Sequence, residues 1–432
     1  MIRRYSLLCS LFLIVNFSFA FNIYWANLHS HTSLSDGTGW PVEAYTYARD
    51  TAHIDILSIT DHTSYLNPGS YEYEKTVAAQ FSVPGQFVGI AGQEFGNLSA
   101  FGHFSIFDAD SLCPVSVYNL DATYAWIHEH QVFSQMNHPA LGNFNYLAYN
   151  HDADKYVAMI EVVNGSGLYT PFYEDRYIDA LNLGWHISPV ANQDNHSRHW
   201  GDAMTAQGQI PLTGIWADSL TKDNIMDAIS KRRLYACEVK PANDRINLTE
   251  FSIDDKIMGD VYTTPNKLVS IKVSANAVNN FDTIYLYKNG VIYKDTVVAQ
   301  NNFIWTISDV IFNDYYFIKG TQQDGDNFWS SPIWVIYQPP PMSIEVWPNP
   351  IRTSSKIKFP IDKDFISSDM MIYSMEGKLV FKQHKWYGEE QTWAGTNQNG
   401  IIMKNGIYFV VIEEHTARCT KTYKGKVALL LP

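Results

Sequence analysis

Beyond residue 20, no segment of this chain approaches the roughly eighteen consecutive apolar residues a membrane-spanning helix requires, so the exported chain is expected to be soluble. Cysteine is scarce: four in 432 residues, one of them at position 9. Cys113, Cys237 and Cys419 are too few and too widely spaced for a disulfide framework or a thiolate zinc site; they read as buried small residues with at most one pair. Base is also in deficit, 31 Lys and Arg against 44 Asp and Glu, for a net charge of −13. A duplex nucleic acid would meet an unfavourable average field, which disfavours nucleic acid as a partner.

What is present begins with an export signal. Arg3 and Arg4 precede the apolar run "YSLLCSLFLIVNF", and "SFA" ends at Ala20 with small residues at the −3 and −1 positions of a cleavage site. Residues 1–20 are therefore expected to be a cleaved signal peptide.

Residues 21–240 alternate short apolar runs with amphipathic stretches. The runs are "IYWANLHSH", "DILSITDH", "FVGIAGQEF", "GHFSIFD", "VFSQMNH", "AMIEVVNG", "ISPVANQDNH" and "LYACE"; between them lie helical patterns such as "PVEAYTYARDTA" and "FYEDRYIDALNLG". The alternation predicts a parallel α/β architecture with enough repeats for a barrel. Residues 245–337 read as strands only, with a hairpin turning at Asn289-Gly290, and are expected to form a small β-sandwich. The proline linker "QPPPM" occupies 338–342, and a second strand-rich unit runs over 343–432.

Twelve of the fourteen histidines precede residue 200. The N-terminal runs tend to end in metal-competent side chains: His29 and His31, His62, Glu94, His138, and Asp194 with His196. Strand ends of a (β/α) barrel converge on one mouth, so residues distant in sequence can meet there. His29 and His31, two apart on an extended segment, project to the same side, and Asp194 and His196 repeat the arrangement. Asp36 sits on a loop that Gly37 and Gly39 allow to fold back, and His103 opens the next strand. By contrast, His128 and His130 of "IHEHQ" diverge on a predicted helix and read as a solvated face. Glu161 and Asn164 end a further strand, as lining of the mouth or as structural groups.

These motifs, in this order, resemble the PHP (polymerase and histidinol phosphatase) superfamily: "HSHTSLSDG" its first motif, "SITDH" its second, "NHP" its third and "QDNH" its last. The resemblance spans 22 to about 238 and implies a distorted (β/α)7 TIM-like barrel around two or three divalent ions. It also implies that His29, His31, Glu94 and Asp194 hold one ion, that Asp36, His62 and His196 hold a second, and that Glu94 bridges to a third shared with His103 and His138. Asn137 and Gln193 depart from the usual alanine and serine beside these ligands. A nitrogen and oxygen donor set without thiolate suits Mn, Fe or Zn. Such ions lower the pKa of bound water from 15.7 toward ~7, so the expected chemistry is hydrolysis of a phosphoester by metal-activated hydroxide. Asp61, Arg198 and His199 are candidate assisting residues, through hydrogen bonds to ligands, phosphate binding or proton transfer.

"VWPNPIRTSSKIKF", "MIYSMEGKLV" and "WAGTNQNGIIMKNGIYFV" resemble the C-terminal sorting domain of the type IX secretion system. That resemblance implies a Gram-negative source, the type IX machinery as partner, and delivery to the cell surface or medium. "NFWSSPIWV" resembles the close of the small β-domain in CehA/McbA-type metallohydrolases, some of which cleave carboxyl or carbamate esters. The substrate class is thus a small anionic or ester compound, and a non-catalytic surface-binding role is the alternative outside enzymology.

Overall fold

The computed structural model describes residues 21–165, 172–240, 244–339, 342–361, 365–417 and 419–431. The expected signal peptide lies outside them, as do Pro340 and Pro341 of the expected linker. The chain divides into two compact units, one spanning 1–263 and 268–336, the other 264–267 and 337–432.

The first unit opens with β1 (Asn22–Asn27), α1 (Pro41–Asp50), β2 (Ile56–Ile59), α2 (Pro68–Phe81), β3 (Val88–Asn97) and β4 (Gly102–Phe107). Then come α3 (Leu120–His130), β5 (Ser134–Asn137), a left-handed turn α4 (Asn143–Leu147), β6 (Val157–Asn164), α5 (Glu174–Leu183), β7 (Ser188–Asn192), β8 (Ile210–Ala217), α6 (Lys222–Ser230) and β9 (Leu234–Val239). Helix starts are set by local chemistry. Asn67 caps α2 by accepting the Gly69 and Ser70 N–H groups ahead of Pro68, and Thr221 caps α6 through the Asn224 N–H.

The strands run in the order β9-β8-β1-β2-β3-β4-β5-β6-β7. β1, β2 and β3 are parallel, as are β5, β6 and β7. β4 is antiparallel to both of its neighbours, and β8 to β1 and β9. The wholly parallel sheet expected from the sequence is therefore corrected to a mixed one. Only residues 98–101 separate β3 from β4, and a parallel crossover needs a dozen or more. The Thr213 hydroxyl on β8 donates to Ala191 O and accepts the Ala191 N–H, each at 3.1 Å, while Asn192 Oδ1 accepts the Leu28 N–H at 2.7 Å. The far strand β7 is thereby tied back to β8 and to the end of β1.

Every residue of β2, β5, β6, β7, β8 and β9 is buried, and β2, β6, β8 and β9 read accordingly as mostly apolar runs, whereas β5 buries Ser134, Gln135 and Asn137. Their buried polar residues, among them Gln135, Asn137, Glu161 and Asn192, hydrogen-bond one another.

Ten more strands follow: β10 (Asn247–Ile253), β11 (Lys256–Ile257), β12 (Val261–Thr264), β13 (Leu268–Asn276), β14 (Phe281–Lys288), β15 (Val291–Val297), β16 (Asn302–Val310), β17 (Asn313–Gln322), β18 (Asn327–Ser330) and β19 (Ile333–Tyr337). β14 and β15 form the hairpin expected at Asn289-Gly290, with φ of 51° and 78° at the two turn residues. β18 pairs with β9, so the first sheet continues through β18, β17 and β19 to β12, and a separate sheet runs β11-β10-β13-β16.

The second unit contains β20 (Met342–Ser343), β21 (Glu345–Trp347), β22 (Ser355–Lys358), β23 (Phe365–Tyr373), β24 (Leu379–Trp386), β25 (Glu390–Trp393), β26 (Gly406–Thr416) and β27 (Thr420–Leu429). Its sheets, β20-β27-β26-β23-β24 and β21-β22-β25, enclose a core that includes Ile357, Phe359, Trp393, Val410 and Tyr423. All three described cysteines are free; Cys113 and Cys237 are buried as expected, and Cys419 is exposed, which corrects its expected burial.

Candidate metal centre

The residues after β1 and after β7 run side by side. Ser30 and Asn195 form a parallel bridge, Asp194 N–H donates to His29 O at 3.1 Å, and His31 N–H donates to Asn195 O at 3.0 Å. The i, i+2 spacing directs His29 and His31 to one side, where Asp194 Oδ1 and the His196 ring meet them. A second parallel bridge joins His62 to Glu94, and β4 sets His103 opposite Gly96 on one neighbour and Asn137 on the other. The Asp36 loop folds tightly over the end of β1. A Cβ on Gly37 would lie 2.7 Å from the His31 carbonyl carbon, and Gly39 sits at φ 79°.

His29 Nε2, His31 Nε2 and Asp194 Oδ1 lie 3.2–3.4 Å from one another, and the Glu94 carboxylate lies 3.3 Å from the first and 3.4 Å from the second. Donors bonded at about 2.0–2.2 Å to one ion sit about 3.0 Å apart at right angles and about 3.4 Å apart at the tetrahedral angle. The His29, His31 and Asp194 donors fit that shell, and the two Glu94 oxygens border it. Toward solvent, His196 Nε2 is 3.2 Å from Asp36 Oδ1, His62 Nε2 is 3.7 Å from Asp36 Oδ2, and His31 Nδ1 is 4.0 Å from Asp36 Oδ1. On the other side, Glu94 Oε1 meets His103 Nδ1 at 3.1 Å and His138 Nε2 at 3.2 Å, while Oε2 meets His62 Nδ1 at 3.0 Å. His62 thus faces two donor groups, one with each ring nitrogen. All nine residues named from the sequence as ligands are brought together.

The fields within the cluster favour cations. Burial disfavours charge on His29, but Asp194, Glu94 and Glu161 raise its pKa well above the usual imidazole value. Burial likewise opposes ionisation of Glu94 and Asp194, yet His29 and the other imidazoles hold both below the carboxylate range. Divalent ions would satisfy the same carboxylates without protonating the histidines. His138 and Asp194 adopt φ of 30° and 46°, left-handed values that non-glycine residues rarely take and that cluster at functional sites.

Glu161, whose role the sequence leaves open, is fully buried behind the cluster. Its Oε1 accepts from His29 Nδ1 at 2.9 Å, Gln135 Nε2 at 3.0 Å and Asn192 Nδ2 at 3.2 Å; Oε2 accepts from the His138 N–H at 2.7 Å and Asn164 Nδ2 at 2.8 Å. With Nδ1–H given to Glu161, the His29 Nε2 lone pair faces the other donors. Asn137, noted in the sequence only as a departure beside a ligand, donates to Glu94 Oε1 at 2.8 Å, and Trp200, which the sequence did not single out, donates its indole N–H to His31 O at 3.0 Å.

The three assisting candidates make their polar contacts elsewhere. Buried Asp61 accepts from the Thr32 N–H at 2.7 Å, the Thr32 hydroxyl at 2.6 Å and the Ser35 hydroxyl, anchoring the Asp36 loop. Arg198 donates to Glu43 Oε1 at 2.9 Å, and the His199 ring lies 3.1 Å from the Tyr47 hydroxyl, both against α1. His128 and His130 are exposed at the end of α3, donating to Asp152 O and Trp126 O.

A cavity of about 380 Å³ opens beside the cluster. Its lining includes Asp36, His62, Glu94 and His103 together with the apolar Phe95, Pro114, Val115 and Val117; no lysine or arginine lines it among the described residues. Cys113 also borders it, but burial pushes its thiol up to about 11, so it is no thiolate nucleophile at neutral pH.

The chain is 21% identical over 364 residues to an uncharacterized protein from Chlamydia trachomatis, an alignment covering 73% of this chain. It spans 57% of the length of that relative. Among solved structures it is similar to a two-domain protein from Bacteroides vulgatus containing a predicted PHP-like metal-dependent phosphoesterase, at 16% identity, 72% of this chain, 95% of that one and a TM-score of 0.42. It is also similar to dimeric latent PorU from Porphyromonas gingivalis, at 13% identity, 52% of this chain, 24% of that one and a TM-score of 0.19. At these values the metal reading rests on the donor geometry itself. Residues 345–424 match the family described as "Secretion system C-terminal sorting domain", and the second unit of this chain therefore carries a sorting domain for export.

Proposed function

We propose that the protein is an exported metal-dependent hydrolase of the PHP type that cleaves a phosphoester, delivered through the type IX machinery to the cell surface or medium. In this reading residues 21–240 form a distorted (β/α)7 barrel, and the ties from β7 to β8 and Leu28 support its closure. The observation that carries the proposal is the set of His29, His31 and Asp194 donors at mutual separations of 3.2–3.4 Å, with Glu94 Oε1 3.3 Å from His29 and Oε2 3.4 Å from His31. His29, His31, Glu94 and Asp194 would hold one ion, Asp36, His62 and His196 a second, with His103 and His138 joining Glu94 for a third.

Bound divalent ions would activate water and stabilise charge on the reacting oxygens. The chain's own residues do the rest. Glu161 and Asn137 fix the orientation of His29 and Glu94, and Asp61 holds the Asp36 loop. Phe95, Pro114, Val115 and Val117 contribute apolar lining to the cavity. Because no cationic side chain lines that cavity, a neutral carboxyl or carbamate ester is the second reading.

The test is elemental analysis of purified protein, followed by assay of phosphomonoester, phosphodiester and carboxyl-ester substrates with wild type, His29→Ala and Asp194→Ala. Bound metal with phosphoester turnover that both substitutions abolish supports the proposal. Carboxyl-ester turnover alone selects the second reading, and less than about one ion per chain rejects both.

A further inference from the structure

Twelve of the fourteen histidines serve the first 200 residues; the remaining two, His384 and His415, both fall in one side-chain cluster of the second unit. There β23 and β26 pair antiparallel with Asp369 directly opposite Glu413. His415 lies two residues beyond Glu413 and so shares its face. Ligand-competent atoms of Asp369, Glu413 and His415 all lie within 4.8 Å of one another. We propose that these three side chains form a second divalent-metal site, distinct in its ligands from the hydrolytic centre, that takes a borderline transition ion such as Zn(II).

Two carboxylates facing each other across a strand pair repel and destabilise it. Among the described residues no lysine or arginine forms an ion pair with either acid. Asp369 is already oriented: its Oδ1 accepts the Lys385 N–H at 3.0 Å and its Oδ2 accepts from His384 Nδ1 at 2.9 Å. The register shift between Ser368 and Met370 brings His384 and Lys385 to it. A carboxylate held by an imidazole and a backbone N–H is the usual support behind a metal ligand. His415 Nδ1 lies 3.2 Å from the Thr420 hydroxyl, which leaves Nε2 for an ion. One imidazole and two carboxylates, without thiolate, offer mixed nitrogen and oxygen donors with coordination positions left for water, as Zn(II) accepts. The ion would bridge β23 and β26 and replace their repulsion with attraction to both acids.

The experiment is calorimetric titration of the chelator-treated full-length protein with ZnCl2. Wild type is expected to bind one more Zn(II) per chain than Glu413→Gln and than His415→Ala, while Asp194→Ala loses ions independently. Unchanged stoichiometry in either tail variant overturns the site. If circular dichroism shows a tail variant misfolded, Glu413→Lys decides: its ammonium should raise the unfolding temperature of the metal-free chain and abolish the tail Zn(II). A metal-free Glu413→Lys chain no more stable than wild type overturns the inference.

Discussion

Glu161→Gln tests the hydrogen bonding behind the proposed cluster rather than the cluster itself. The carboxylate accepts five hydrogen bonds, three on Oε1 and two on Oε2. An amide can keep one oxygen and must turn an NH2 toward the other set. The cheaper orientation leaves the oxygen on His29, Gln135 and Asn192 and sets the NH2 against the His138 N–H and Asn164. Asn164 could accept only by flipping its amide and giving up its 3.4 Å donation to Asp194 Oδ2, and the His138 N–H is left unpaired in either case, at about 1–3 kcal/mol of stability. His29 keeps an acceptor but a neutral one, and loss of such a charged partner typically weakens metal binding about 10- to 100-fold. Competition with a graded chelator reads the second effect, and denaturant unfolding of the metal-free protein reads the first. A Glu161→Gln protein that holds its metal as tightly as wild type would refute the assignment of His29 as an oriented ligand.

Asp36→Asn should remove about one ion per chain while leaving the buried His29, His31 and Asp194 set loaded, because Asp36 meets the solvent-facing His196 and His62 at 3.2 and 3.7 Å and approaches the buried set only at His31 Nδ1, 4.0 Å away; elemental analysis checks this, and unchanged occupancy and activity would reject Asp36 as a ligand. Glu238 gives a pH test away from the metal. Burial raises its pKa from 4.5 to about 7, with Asn327 opposing, and one of its oxygens has no partner among the described residues. Its folded-state pKa lies above the unfolded one, so its contribution is fully present below about pH 4.5 and is lost as pH rises through about 7. The shift corresponds to about 3 kcal/mol at most. Glu238→Gln should therefore be more stable than wild type at pH 8 and equal to it at pH 4, by urea midpoints; a difference independent of pH would contradict the assignment. Asp61→Asn should loosen the Asp36 loop and lower the affinity of the solvent-facing ion more than that of the buried one, since the Thr32 and Ser35 contacts of Asp61 hold that loop. Two-phase chelator release would show it.

The gathering of His29 with His31 was legible because extended segments alternate sides whatever the fold around them; Asp194 reaches the same place from a left-handed φ of 46°, which the spacing does not foretell. Strand direction was not legible. The length of the β3–β4 connection was written in the sequence, but the apolar runs on either side carry no sign of direction, and β8, "IPLTGIWA", escaped notice beside the last motif. Glu161 offered a clearer signal than was taken from it. A carboxylate in the middle of "AMIEVVN", a strand with every residue buried, is too costly to keep without several donors. Arg198 was open to two readings, a phosphate role or a surface-loop base, and its guanidinium pairs with Glu43 on α1. The pairing of β9 with β18, which carries the first sheet into the strands beyond residue 245, depends on contacts about ninety residues apart that no local pattern encodes.

Metal removal should separate this site from those that fold only when loaded. The backbone around the proposed ligands is fixed by bonds that involve no ion: Ser30 to Asn195, Asp194 to His29, His62 to Glu94, and the five donors on Glu161. The ligands are therefore held in place by the fold, and metal adds stability by mass action, about 2.7 kcal/mol at a free concentration one hundred times Kd. A chelated protein should keep its far-ultraviolet circular dichroism and lose only unfolding temperature, restored on adding Mn(II) or Zn(II). Wholesale loss of secondary structure on chelation would mean that the ions organise the cluster, and the hydrogen bonds from Glu161, Asn137 and Asp61 would then be consequences of loading rather than its cause.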